Sequence, residues 1–247
     1  MPSFRSLVVI DAPTDLGLRP PAAGRIPGTS HAPAALRRHE QVERIGAITG
    51  GSVTPASYSP EWCPGFGTRN ADSIYTFTRE QAAKIGETID SSGFPVVLGG
   101  DCSVPLVGMP AFRTRGRYGL IHIDGHCDLS HPGNGTEVEA VASEDLALVT
   151  GRGSDLLTDI DGLRPYVLVP DVDVLDSAIM PAVDSPQADG LSYAELAELV
   201  TPLLCSDRAM GLELTVFDPD LDPDGTIAAV MVDELVALFV SAGCVRA

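Results

Sequence analysis

The sequence predicts an α/β protein whose mainly parallel sheet is covered by helices on both faces. Three observations point there. Short apolar runs of the buried-strand type, at residues 7–10, 94–98, 118–123, 166–169 and 211–217, alternate with helical patterns along the chain. The runs are apolar almost throughout, as strands buried on both faces require. Polar clusters rich in Gly, Asp, His and Cys follow three of the runs directly, at the strand ends where parallel sheets gather ligands.

Taken in order, residues 7–10 form a first strand, residues 32–38 a first helix and residues 45–49 a second strand. Residues 50–70 are rich in Gly, Pro and Ser and hold the only tryptophan, Trp62, so a long surface loop is expected there. Thr78-Arg-Glu-Gln81 has the spacing of a capping box and predicts a helix running towards Ser91, stopped by Gly93. A strand at 94–98 leads through Gly99-Gly100-Asp101-Cys102 into a helix at 104–113. The strand at 118–123 precedes a polar loop (129–142) and a short helix (144–149). After the strand at 166–169, Ser192-Tyr-Ala-Glu195 is a second capping box and opens a helix to about residue 204. A strand at 211–217, an acidic loop and a helix ending near residue 241 complete the chain. With no internal repeat or low-complexity linker, residues 1–247 are expected to form one domain.

The chain holds 34 acidic and 16 basic residues, a formal net charge of −18, which argues against nucleic acid or an anionic membrane as partner. Five cysteines without a C-x-x-C pair read as reduced thiols rather than a disulfide framework. The N-terminal stretch lacks the features of a secretory signal, and the most apolar run (227–240) is short and broken by Asp233 and Glu234. A cytoplasmic protein is expected.

The stretch Ile121-His-Ile-Asp-Gly-His-Cys-Asp128 carries the chemistry. Asp124, His126 and Asp128 are spaced by two, so an extended chain points them the same way. A mixture of carboxylate and imidazole suits Mn²⁺, Zn²⁺ or Fe²⁺ better than Ca²⁺. Alone, the triplet is as well explained by a loop cap and a satisfied histidine, and Asp171 and Asp173 by turn residues. Together, with Cys102 at a third strand end, they favour a metal, because so many carboxylates crowded without a cation would repel. The run Asp220-x-Asp222-x-Asp224-Gly225 imitates an EF-hand loop but has Met231 at its twelfth position and reads as an acidic entry to the last helix. Lys84, the sole lysine, lies in a predicted helix, which disfavours P-loop or Schiff-base chemistry.

Three segments, Gly99-Gly100-Asp101-Cys102-Ser103, Asp124-Gly-His126-Cys-Asp128 and Asp171-Val-Asp173-Val-Leu-Asp176, resemble the signature segments of the arginase (ureohydrolase) family. Met180-Pro-Ala-Val-Asp-Ser-Pro186 and Gly190-Leu-Ser-Tyr193 continue the likeness. The resemblance implies a three-layer α/β/α fold and a binuclear manganese centre with a bridging hydroxide. It implies that Asp124 and Asp171 bridge two Mn²⁺ ions, that Cys102 and Asp128 complete one site, and that His126 and Asp173 complete the other. Ser130 and Glu144 are the candidate substrate contacts.

The chain departs from the family pattern in four places. Cys102 stands where the family usually has a histidine ligand. No histidine lies between Gly133 and Val149, where arginases carry a proton shuttle, and His131 is too near Asp128 to match it. Aligned on Pro219, the glutamate that faces the guanidinium is replaced by Val216, and Glu213, three residues earlier, belongs to the opposite strand face unless a bulge resets the register. Only about twenty residues separate Gly151 from Asp171, where relatives have room for a further βα unit; a shortened sheet and a missing segment both fit.

The cysteine exchange and the absent shuttle histidine resemble the arginase-like N-omega-hydroxy-L-arginine hydrolases of D-cycloserine biosynthesis, an antibiotic pathway. The resemblance implies hydroxyurea and L-ornithine as products. Alternatives are hydrolysis of another guanidino or formimino compound, a non-catalytic metal-binding relative, and Cys102 as a nucleophile with His126 as its base. The short tail after the last helix lacks the extension arginases use between subunits, so a monomer is expected.

Overall fold

The computed structural model describes residues 5–63, 67–131, 133–134, 139–152 and 166–245. Six strands, β1 (Leu7–Ala12), β2 (Ile48–Ser52), β3 (Phe94–Gly99), β4 (Gly119–Ile123), β5 (Tyr166–Pro170) and β6 (Ala209–Leu214), form one sheet in the order β2-β1-β3-β6-β5-β4. Every pairing is parallel, so all the carboxyl ends lie along one edge. Around the sheet run α1 (Ala32–Arg37), α2 (Gln41–Arg44), α3 (Ala71–Asp90), α4 (Val104–Arg113), α5 (Asp145–Val149), α6 (Tyr193–Leu204) and α7 (Thr226–Ser241).

Strand alternation divides the core in two. Val9, Val96, Leu98, Leu168 and Leu212 point to one face, under Leu36, Val200, Val232 and Phe239 of α1, α6 and α7. Ile10, Val97, Val167 and Val169 point to the other, under Ile74, Ile85, Leu106, Phe112 and Leu148 of α3, α4 and α5. The three layers follow from burying both faces of a parallel sheet, whose apolar removal from water is the main favourable term. This is the predicted architecture.

Local expectations fare unevenly. The helix at Val104–Arg113 and the Ser192 capping box are as predicted: the Ser192 hydroxyl accepts from Glu195 N (3.3 Å) and Glu195 accepts from Ser192 N (2.9 Å). The acidic loop likewise caps α7, with Asp222 accepting from the amides of Ile227 (3.1 Å) and Ala228 (2.9 Å).

The Thr78 capping box is wrong. α3 begins seven residues earlier, at Ala71, and Thr78 is buried inside it. Gln81 is instead a tertiary clamp, accepting from Val53 N (3.1 Å) and donating to Asp11 O (2.6 Å). The second strand starts at Ile48, because Ile45 ends α2 as a buried core residue. The left-handed residue after α3 is Ser92 (φ 62°), not Gly93. Of the 151–171 connection, residues 153–165 lie outside the described residues; β5 pairs directly with β4, and among the described residues β4 is an edge of the sheet.

Candidate metal centre and its cavity

β3, β6, β5 and β4 are consecutive neighbours, and their carboxyl ends deliver Cys102, Thr215, Asp171 with Asp173, and Asp124 with His126 and Asp128. Residues from about 100 to 216 in the chain thus become one cluster. The backbone continues the sheet just far enough: Asp171 N donates to Ile123 O (2.8 Å), and Asp171 bridges to Thr215 beyond β6.

Asp124 is the hub. Its carboxylate belongs to two groups of converging ligand atoms, Asp124–His126–Asp173 and His122–Asp124–Asp145. His126 Nδ1 lies 2.9 Å from Asp173 Oδ2 and 3.6 Å from Asp124 Oδ1. Its other ring nitrogen, Nε2, is 2.8 Å from the side-chain amide of Gln187. A ligating histidine is typically held through its second nitrogen in this way. Gly125 is required between the two: a Cβ there would lie 2.9 Å from Asp173 O. Asp128 adopts a left-handed conformation (φ 39°), which a short polar side chain tolerates, and its carbonyl accepts from Ala147 N of α5 (3.1 Å).

On the β3 side, Cys102 Sγ donates to Asp171 Oδ2 (3.7 Å), and Thr215 Oγ1 donates to the same oxygen (3.1 Å). Asp101 is a positioning residue: fully buried, it accepts from Gly17 N (2.7 Å) and Ser103 N (2.8 Å), tying the Gly-Gly-Asp-Cys turn to the N-terminal segment.

The electrostatics are those of a cation site. Burial, then Asp145 and Asp124, push Asp128 up to about 9; burial, then Asp124, pushes Asp173 up to about 6. Burial, then Asp173, raises Asp171 well above the carboxylate range, and burial, then Asp171, raises the Cys102 thiol. Asp124 Oδ2 and Asp145 Oδ2 are buried without a hydrogen-bond partner. Such crowding and orphaned oxygens are costly unless protons or a cation neutralise them. The residues therefore fit a divalent metal, and the mixed carboxylate, imidazole and thiol donors favour a transition metal.

The cluster forms the floor of a cavity of about 600 Å³ that includes Cys102, His126, Asp128 and Asp173 in its lining. That volume suits a small molecule. Within the described residues, Ser130 and Glu144 are not in this lining. Ser130 N donates to Ser143 O (3.0 Å), and Ser143 itself lines the cavity. Glu144 is buried and accepts from the Thr68 hydroxyl; burial pushes it up to about 7.

His122 and Gln187 are additions that sequence reasoning missed, and Asp145 joins His122 beside Asp124. His122 Nε2 lies 3.4 Å from Asp124 Oδ2 and 3.7 Å from Asp145 Oδ2. His122 is two residues before Asp124, so the same alternation that grouped Asp124 with His126 and Asp128 also includes it. Nothing local marks Asp145 or Gln187.

The arginase family profile matches residues 5–144 and 150–240. The chain belongs to the arginase family. It is 26% identical over 267 aligned residues to an N(1)-aminopropylagmatine ureohydrolase of Thermus thermophilus, across 91% of this chain and 85% of the relative. It is 24% identical to a formimidoylglutamase of Aeromonas hydrophila, across 63% of this chain and 66% of that one. The fold superposes on the arginase of Bacillus caldovelox with a TM-score of 0.82 at 21% identity, covering 95% of this chain and 98% of that one. As an arginase-family ureohydrolase, the protein is a hydrolase of amidino C–N bonds.

Val216, which the family resemblance sets at the guanidinium-facing position, is fully buried at φ 74°, with its amide donating to Gly100 O (3.0 Å). Glu213 does not replace it. β6 keeps regular register with β3 (Val96 with Leu212, Val97 with Glu213), so Glu213 points to the opposite face, against Gly108 of α4. His131 accepts from Gly133 N (2.9 Å) in a local turn. All five cysteines are free, and no helix among the described residues is long and apolar enough to cross a membrane.

Proposed function

We propose that the protein hydrolyses N-omega-hydroxy-L-arginine to hydroxyurea and L-ornithine at a binuclear manganese site, the reaction used in D-cycloserine biosynthesis. Cys102, Asp128, Asp124 and Asp171 would hold one ion, and Asp124, Asp171, His126 and Asp173 the other. Two divalent ions at such a site lower the pKa of a shared water and favour charge build-up on the amidino group.

The chain's own residues position the rest. Gln187 fixes the ring of His126, Thr215 fixes Asp171, and His122 with Asp145 flanks Asp124. Water adds to the amidino carbon, the C–N bond to the δ-nitrogen breaks, and that nitrogen leaves as the amine of ornithine after taking a proton.

One observation carries the choice of substrate: among the described residues, His126 is the sole histidine lining the cavity, and it faces the proposed metal ligands. A leaving amine therefore lacks a second imidazole to protonate it, help that is typically worth about 10²–10⁴-fold. Val216 also removes the carboxylate that would balance a guanidinium charge. An N-hydroxyguanidine is less basic and more often neutral, so it depends less on both groups.

The test is kcat/KM for N-omega-hydroxy-L-arginine and for L-arginine at one pH with saturating Mn²⁺. The hydroxylated substrate should win by at least ~10²-fold. Equal values, or a preference for arginine, would overturn the reading.

A further inference from the structure

A large part of the wall of the cavity that holds the metal-ligand candidates is built by a loop, residues 18–28, that no motif accounts for. The loop contributes apolar Leu18, Pro20, Ile26 and Pro27, and two cations, Arg19 and Arg25. The chain has 16 basic residues against 34 acidic ones, so two guanidinium groups on one cavity wall stand out against the overall charge.

The acids nearest this wall already have partners. Asp218 accepts from Gly28 N (3.2 Å) and Asp220 N (2.9 Å), and Asp220 lies 3.2 Å from His31 Nδ1. Arg19 pairs through Nε with Glu139 (3.1 Å), which anchors it while its side chain stays 60% exposed. Arg25 is exposed and, among the described residues, has no salt-bridge partner. On another part of the lining, Asp184 is hydrogen-bonded by Ser185 Oγ (3.5 Å) and has no salt-bridge partner among the described residues.

We infer that Arg25, assisted by Arg19, binds a carboxylate at the end of the substrate remote from the amidino carbon, so that the site selects carboxylate-bearing substrates over their amine-tailed counterparts. The inference rests on the reading of this cavity as the substrate site. The lining combines the metal-centre acids Asp128 and Asp173, where cations and the amidino group belong, with the two guanidinium groups of the 18–28 loop, whose neighbouring acids Asp218 and Asp220 are already engaged. A planar guanidinium matches a carboxylate with two parallel hydrogen bonds. An amine tail would bring a third cation against the two arginines. Asp184 is placed for the ammonium of an amino acid, which would hold an α-amino acid head between two walls.

The experiment uses a matched pair of product-like ligands, L-ornithine and putrescine, which differ by one carboxylate. Binding of each to the full-length Mn²⁺-loaded protein is measured by calorimetry, alongside kcat/KM for L-arginine and agmatine. Ornithine should bind roughly tenfold tighter or more, the scale of one charge-assisted contact. Arg25→Ala should bring the ratio towards one, Arg19→Ala should lower it less, and Arg25→Lys should retain part of it, all with unchanged thermal midpoints. Equal binding of the two ligands, no binding of either, or a ratio that survives the double Arg19→Ala/Arg25→Ala variant would each overturn the inference. Failure of the hydroxyarginine reading looks different: arginine would match its hydroxylated form while the preference for ornithine over putrescine remained.

Discussion

Glu213 Oε1 occupies the volume that a side chain on Gly108 would fill. The carboxyl is buried, both oxygens lack a hydrogen-bond partner, and burial raises its pKa well above the usual range. A missing side chain on α4 and a long acid on β6 are thus two halves of one packing solution, and burial favours the neutral form of the acid.

That arrangement has a pH signature with a definite sign. A carboxyl whose pKa is raised by folding keeps its proton in the native state while the unfolded chain, with a value near 4.5, gives it up. Its contribution is fully present below about 4.5 and is lost as pH rises towards the folded value, at up to about 1.4 kcal/mol per pH unit. Glu213→Gln keeps the shape and removes the titration. Denaturant melts at pH 5 and pH 8 should show the variant gaining on the wild type at the higher pH. Parallel behaviour at both would mean that Glu213 is ionised and paired.

Gly108→Ala should destabilise the fold by roughly 1–3 kcal/mol, because the added carbon meets the Glu213 carboxyl in a packed core. Glu213→Asp, which withdraws the carboxyl by one methylene, should restore part of that loss in the double variant. A double-mutant cycle checks this: additive losses would show that the two residues do not share the space.

Asp124 is proposed to hold both ions, so Asp124→Ala should remove most of the manganese measured by elemental analysis after dialysis. Asp173→Ala should chiefly affect one ion. His122→Ala acts through Asp124 and should weaken metal binding by about 10–100-fold without abolishing it. Full manganese retention by Asp124→Ala would refute the assignment.

Cys102 is buried against Asp171, and its thiol is held above its ordinary pKa, which suits a ligand that loses its proton to an incoming cation rather than a free thiolate nucleophile. Metal uptake should therefore release protons and weaken as pH falls. Cys102→His should keep manganese bound, and Cys102→Ser should weaken one site. A covalent substrate adduct on Cys102, seen by mass spectrometry, would point to nucleophilic catalysis instead.

The sequence by itself determined the layers, the strand ends and the metal-ligand candidates at Cys102, Asp124, His126, Asp128, Asp171 and Asp173. These are carried by local patterns: apolar runs that must be buried on both faces, polar residues clustered directly after them, and caps such as Ser192 with Glu195; the extended alternation expected across Asp124, His126 and Asp128 ends with β4 at Ile123, and a bend and the left-handed Asp128 place those side chains instead. Only the tertiary structure decided the rest. Thr78 has the spacing of a cap, yet the α3 surface that packs on β1 and β3 draws the helix start back to Ala71. Asp145 and Gln187 join the site from 21 and 61 residues beyond Asp124 and His126 respectively, which no local period records. The 18–28 loop shows no motif, and its two arginines acquire meaning because the fold brings them into one cavity with the metal-ligand candidates. Glu213 and Gly108 are 105 positions apart and fit each other because α4 packs against β6. Local pattern fixes what a segment can become, whereas complementarity between distant segments exists only once the sheet has assembled.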